Sequence, residues 1–175
     1  MRKLKYLLLI LTLILWASCS HKFDSNVLGL EFYQWNLWQD SGADTRTDLP
    51  SCGWDDLHRG KGLLVRIPAP IEEHFSDRED TDIFWYHCRF TLPELWEDKK
   101  IFLEFEEAGP FIKVFLNEDL VGSAQGGNGG FELEVSDIIY YTRDNHLSIR
   151  ISDLKGQTDG KLNGITGTIL VKPGT

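Results

Sequence analysis

Cysteine is scarce in this chain: three in 175 residues, at positions 19, 52 and 88. Their spacing does not resemble a zinc site and no thiol is paired with an obvious base, so a cysteine nucleophile is not indicated. Basic residues are in deficit, 18 Lys and Arg against 27 Asp and Glu, for a formal net charge of −9. Such an acidic body is repelled by phosphate backbones, which argues against nucleic acid as a partner. A Gly-x-Ser-x-Gly elbow is absent, which disfavours an α/β-hydrolase type of esterase. The glycine-rich Gly126–Gly130 is not followed by Lys-Ser or Lys-Thr and opens no helix pattern, so it reads as an inter-strand loop rather than a phosphate cradle. The five histidines, His21, His58, His74, His87 and His146, show no metal-ligand spacing. A (β/α)8 catalytic barrel needs about 250 residues and does not fit.

The one long apolar run is at the N-terminus. Met1-Arg2-Lys3-Leu4-Lys5 is a basic lead-in, and Tyr6 to Trp16 is apolar apart from Thr12. Eleven helical residues span about 16 Å, too short for a hydrocarbon core of about 30 Å. A secretory signal fits better. Leu15-Trp16-Ala17-Ser18-Cys19 resembles a bacterial lipobox, which makes residues 1–18 a cleaved signal peptide and Cys19 a lipidated N-terminus. Residues 19–28 then form the lipidated cysteine and tether, and 29–175 the folded body. The expected location is the bacterial cell envelope, anchored by lipid to the outer membrane on its periplasmic or surface face. Loss of Arg2, Lys3 and Lys5 takes the net charge from −9 to −12.

What the body does contain is strand signal. The expected strands are Leu30–Trp38, Leu63–Ile67, Phe84–Thr91, Lys100–Glu106, Phe111–Asn117, Leu120–Ala124, Phe131–Val135, His146–Ser152 and Thr166–Lys172. Most alternate apolar with polar and are rich in β-branched or aromatic residues. Ala108-Gly109-Pro110, Asn117-Glu118-Asp119 and Asp144-Asn145 supply turns. Only Ile71–Phe75 and Ser136–Tyr140 have a helical look. Asp40–Gly62 is a long segment without a strand pattern, and such segments are often functional or mobile. The fold class is therefore all-β, a one-domain sandwich. Alternation puts Cys88 on the core face with Tyr86 and Phe90; a buried free thiol and a Cys52–Cys88 bridge both remain open.

The order of short motifs narrows this further. Gly53-Trp54-Asp55-Asp56, Val65-Arg66-Ile67-Pro68, Trp85-Tyr86 with Phe90-Thr91-Leu92-Pro93, and Phe102-Leu103-Glu104-Phe105-Glu106 come first. Val114-Phe115-Leu116-Asn117, Val121-Gly122-Ser123, Gly126-Gly127 with Phe131-Glu132, Val135-Ser136-Asp137, Asn145-His146-Leu147 with Arg150-Ile151, and Ile169-Leu170-Val171-Lys172-Pro173 follow. From about Gly53 to Lys172 this series resembles the N-terminal sugar-binding domain of family 2 glycoside hydrolases, the β-galactosidase, β-mannosidase and β-glucuronidase group. The resemblance implies a galactose-binding-like jelly roll. It departs from the family at Leu116-Asn117-Glu118, where Leu-Asn-Gly is usual, and at Asn128, where an aromatic is usual. The family's catalytic glutamates lie in a separate barrel for which this chain has no room.

The expected activity is accordingly non-catalytic binding of an oligosaccharide or polysaccharide, assisting separate glycoside hydrolases. A structural or protein-interaction jelly roll, or an accessory subunit or fragment of a family 2 enzyme, are the alternatives. Sugar binding calls for an aromatic platform beside hydrogen-bonding side chains on one rim. The candidates are Trp54, Asn117, Gln125, Asn128 and Asp153, the last resembling a late-loop aspartate through which some family members touch substrate. Each also has an ordinary role: Trp54 as a core aromatic, Asn117 and Asp153 as turn residues. No cofactor is expected. Asp77, Glu79, Asp80 and Asp82 are weak calcium candidates or simply a solvated loop, and related sandwiches often carry a structural calcium.

Overall fold

The computed structural model of the chain describes residues 26–44, 46–75, 81–109, 111–125, 129–154 and 164–174. The expected signal peptide and Cys19, Asn128, and the calcium candidates Asp77, Glu79 and Asp80 lie outside them. Among the described residues no helix is long and apolar enough to cross a membrane.

The strands are β1 (Leu28–Gly29), β2 (Trp35–Gln39), β3 (Leu63–Val65), β4 (Ala69–Pro70), β5 (Thr81–Phe90) and β6 (Ile101–Phe105). The series continues with β7 (Phe111–Leu116), β8 (Asp119–Gln125), β9 (Phe131–Glu134), β10 (Asn145–Leu154), β11 (Gly164–Ile165) and β12 (Ile169–Pro173). One short helix, α1, covers Trp54–His58. A six-stranded sheet runs β3-β2-β5-β10-β7-β8 and faces a four-stranded sheet, β1-β12-β6-β9; β4 and β11 form a small pair. The pairings are antiparallel, and the whole is a β-sandwich.

Alternation builds the core. On β6, Ile101, Leu103 and Phe105 point inward while Phe102 and Glu104 point out, and Val171 and Ile169 of β12 lie opposite Leu103 and Phe105. In the facing sheet, Leu147, Ile149 and Ile151 of β10 are in register with Cys88, Tyr86 and Phe84 of β5. These side chains form one continuous buried cluster. Each large apolar side chain in it contributes about 1.5–3 kcal/mol relative to exposure.

The six-stranded sheet is buried on its other face as well. Ile83, Trp85 and Phe115 form a second cluster there with Leu57 of α1, packed by Trp38, Ala43, Cys52 and Trp54. The segment 40–62, patternless as a sequence, is therefore a cover. Asp40, 2% exposed, pins it. Its carboxylate accepts from the Trp85 indole N–H at 3.2 Å, from the Ser51 amide at 2.9 Å and from the Ser51 hydroxyl. Lys113 Nζ holds Asp48 at 2.6 Å, and Asn36 Nδ2 donates to the Gly60 carbonyl at 3.1 Å. Gly62, at φ +103°, sits where a Cβ would run into the Leu37 carbonyl. The cover also decides between the two cysteine readings. Cys52 lies with the outer cluster and Cys88 in the inner one, with the sheet between them, and both are free thiols.

Three expectations shift. The expected strand Leu30–Trp38 is broken: Leu30–Phe32 forms a 3-10 turn because the buried Trp35 indole donates back to the Leu30 carbonyl at 2.9 Å. Ser136–Tyr140 is a single turn. The Asn145 side chain captures both the amide and the carbonyl of Tyr140, at 2.7 and 2.8 Å, and ends it there. The helical look of Ile71–Phe75 becomes a 3-10 turn over Ile71–Glu73.

The β7–β8 hairpin turns on Asn117 and Glu118 between the paired Leu116 and Asp119, with φ of 52° and 77°. Two positive φ values mark a type I′ turn, whose second position favours glycine. Glu118→Gly is expected to raise stability by about 0.5–1 kcal/mol, read as a higher urea midpoint at unchanged slope. Asp40→Ala leaves the Trp85 indole and the Ser51 amide without their acceptor, and a loss of about 1–3 kcal/mol in the same measurement is expected.

Candidate functional site

Helix α1 starts at Gly53, whose φ of +80° turns the chain into the helix. Its first residue, Trp54, is half-buried, edge-on to Trp85 at 5.5 Å and tilted against Phe115 at 5.3 Å. The exposed Asp55 and Asp56 follow, and Arg59 pairs with Asp56 at 2.9 Å. With Cys52, Gly53 and Glu118 these residues line an open depression of about 490 Å³. It offers an aromatic ring, three carboxylates that accept hydrogen bonds and one guanidinium that donates them.

Beside this depression three imidazoles from three elements come together. His58 closes α1, His87 lies on β5 and His146 near the start of β10. His87 Nε2 and His146 Nδ1 are 3.1 Å apart. The rings stack nearly parallel, with the His58 centroid 4.1 Å from that of His146 and 5.1 Å from that of His87. Burial disfavours their charged forms. His58 is lowered to about 4, first by desolvation and then by the neighbouring His146. His87 is lowered to about 3, by desolvation and then by His58, His146 and Arg89. His146 is also lowered, mainly by desolvation and by Arg89, against an opposing pull from Asp144 and Glu118. Among the described residues this is the one cluster of side chains that could hold a metal ion, with one ligand atom from each ring within 4.8 Å of the others.

Asn128 of the expected rim lies outside the described residues, and the other four members lie on different elements. Trp54 lines the depression. The Asn117 amide is committed within the protein: it donates to the Ile138 carbonyl and Asn145 Oδ1, both at 3.0 Å, and accepts from the His146 amide at 2.9 Å. Gln125 ends β8 opposite Phe111. Asp153 lies in β10 opposite Asp82, so both belong to paired strands rather than to loops. Glu118 and the histidine cluster were missing from the sequence-based candidates. Strand parity places His87 on the same face as Trp85, but nothing local says that His146 or His58 would meet it.

No protein-family model matches the chain. It is 27% identical over 101 residues to a beta-galactosidase of Thermoanaerobacter pseudethanolicus, covering 55% of this chain and 14% of the relative. It is 31% identical over 64 residues to a beta-glucuronidase of Bacteroides fragilis, covering 37% of this chain and 9% of the relative. Among solved structures, a glycosyl hydrolase family 2 member from Bacteroides cellulosilyticus superposes with a TM-score of 0.67 at 15% identity, over 85% of this chain and 20% of that one. A beta-glucuronidase of Bacteroides uniformis gives 0.62 at 20% identity, over 83% and 17%. The fold is thus the one that family 2 glycoside hydrolases contain, and the chain spans 9–20% of the length of these four proteins.

Because the three imidazoles titrate lower in the folded protein than their ordinary 6.5, the unfolded chain takes up the protons first as pH falls. The stability that neutral histidines support is complete above pH 6.5 and declines through the window down to about 4 and 3. Thermal melts between pH 7.5 and 4.5 in EDTA are expected to show a falling Tm. A smaller fall is expected in His58→Gln, which removes one of the titrating groups.

Proposed function

We propose that this protein is a non-catalytic carbohydrate-binding module, anchored in the bacterial cell envelope through a lipidated Cys19, that holds glycan for separate glycoside hydrolases. The observation that carries the reading is the superposition of 85% of the chain on a domain-sized part of a glycosyl hydrolase family 2 member. The local likeness to proteins named beta-galactosidase and beta-glucuronidase supports a carbohydrate as the ligand. The depression beside Trp54 supplies the matching chemistry. A sugar's C–H face packs on an aromatic ring, and its hydroxyls are met by Asp55, Asp56, Glu118 and Arg59. Such a site selects neutral or basic sugars over uronates, since carboxylates outnumber the one cation.

Calorimetric titration of the chain with a panel of plant, host and bacterial oligosaccharides tests this. Saccharide binding is expected, weakened at least about 10-fold by Trp54→Ala and by Asp56→Asn, a loss of about 1.4 kcal/mol. Loss seen instead in Asn128→Ala and Asp153→Ala would move the platform to the glycine-rich rim. Absence of binding to every member of the panel would overturn the reading in favour of a scaffold.

A further inference from the structure

We propose that His58, His87 and His146 form a binding site for a divalent first-row transition ion, zinc above all, which clasps the cover segment onto the six-stranded sheet. Imidazole nitrogens suit zinc, copper and nickel. Zinc binds them at about 2.0–2.1 Å in tetrahedral geometry, which puts two ligand nitrogens about 3.3 Å apart. His87 Nε2 and His146 Nδ1 stand 3.1 Å apart, and the third ring brings a ligand atom within 4.8 Å of both. That separation is also the length of an N–H···N hydrogen bond; for the ion to bind, the ring that donates it carries its proton on the other ring nitrogen instead, so that both facing nitrogens present lone pairs. His58 stacks on His146 with the planes 20° apart, so it must rotate about its Cβ–Cγ bond to aim a lone pair at a common point. It has a nitrogen to spare, because its buried Nε2 makes no hydrogen bond.

Two further observations point the same way. His87 is 3% exposed, and its Nδ1 is buried without a partner. Unsatisfied buried nitrogens are uncommon, and two of the three rings in contact, His58 and His87, carry one. A carboxylate stands at the cluster, Glu118, whose Oε1 lies 3.9 Å from His58 Nδ1. The hairpin holds Glu118 at a φ of 77°, a conformation that favours glycine. The turn thus keeps an anion at the mouth of a cluster that is otherwise neutral, where it offsets the charge of a cation. Arg89 is the cation facing the cluster, and it is itself paired with Asp144 at 3.4 Å. The three ligands come from α1, β5 and β10. One ion would therefore link the cover to the two central strands of the sheet.

The test uses the full chain without an affinity tag, stripped with EDTA and titrated with zinc chloride by calorimetry at pH 7.5. One equivalent is expected to bind with a Kd of about 1 μM or tighter, and to raise Tm. His58→Ala and His146→Gln, each checked for native circular dichroism, are expected to weaken binding at least about 10-fold and to abolish the rise in Tm. His74→Ala, outside the cluster, should leave both unchanged. Cobalt is expected to give intense visible bands of low coordination number in the parent chain and none in His58→Ala. A Kd weaker than about 100 μM, or an affinity that survives both cluster variants, overturns the proposal. The sugar titrations read a different ligand at a different set of residues, so either result can fail while the other stands.

Discussion

The central strands of the larger sheet are largely buried on both faces, and this two-sided burial governs the rest of the structure. From Ile83 to Cys88 every residue of β5 is buried, with Phe84, Tyr86 and Cys88 facing the other sheet and Ile83 and Trp85 facing away. An antiparallel sheet with one solvated face would show polar residues at alternate positions. Here the outward set needs its own cover, and the segment between β2 and β3 provides it. Leu57 supplies apolar area, but the register of the cover is set by polar pins. Asp40 with Trp85 and Ser51, Lys113 with Asp48, and Asn36 with Gly60 fix it at separate points along its length.

Covering the sheet creates an unusual polar environment along its outer face. Arg150 is almost fully buried there, its guanidinium donating to the Ser152 hydroxyl at 2.7 Å, and desolvation lowers its pKa while Asp48 and Asp40 oppose the shift. Farther along β10, Ser148 and His146 continue the same face, and His87 sits across from Ser148. The cover therefore has an apolar part over Trp85 and Phe115 and a polar end over the imidazoles. Helix α1 spans the two: Trp54 belongs to the first and His58 to the second. The five-residue helix is too short to be stable alone, so its position depends on those contacts.

The sandwich was legible because alternation is a local signal. The inward set Ile101, Leu103 and Phe105 can be read from five residues, and so can the parity that puts Cys88 with Tyr86 and Phe90. The order of short motifs then tied those strands to a known architecture. The cover was not legible, because its function is to match a surface assembled from β5, β7 and β2, and no periodicity in 40–62 reports that. The break at Leu30–Phe32 depends on where the Trp35 indole finds an acceptor. The histidine cluster escaped for a related reason. Its members are separated by 29 and 59 residues, so their meeting is a product of strand order and of the cover alone.

The separation of the two apolar clusters by the sheet has a consequence for function. The main cluster lies between the sheets and draws on β1, β2, β5, β6, β7, β10 and β12, whereas the outer one has four fully buried members. Most of the hydrophobic stabilisation is thus independent of the cover. Rearrangement of the cover requires breaking a few hydrogen bonds and ion pairs and exposing one small cluster, while the sandwich stays intact. Trp54 and His58 are one helical turn apart on that adjustable element, and Glu118 borders both the depression and the imidazoles. Trp54 packs on β5 and β7 and His58 on β5 and β10, so the two ends of one short helix share β5 as their support.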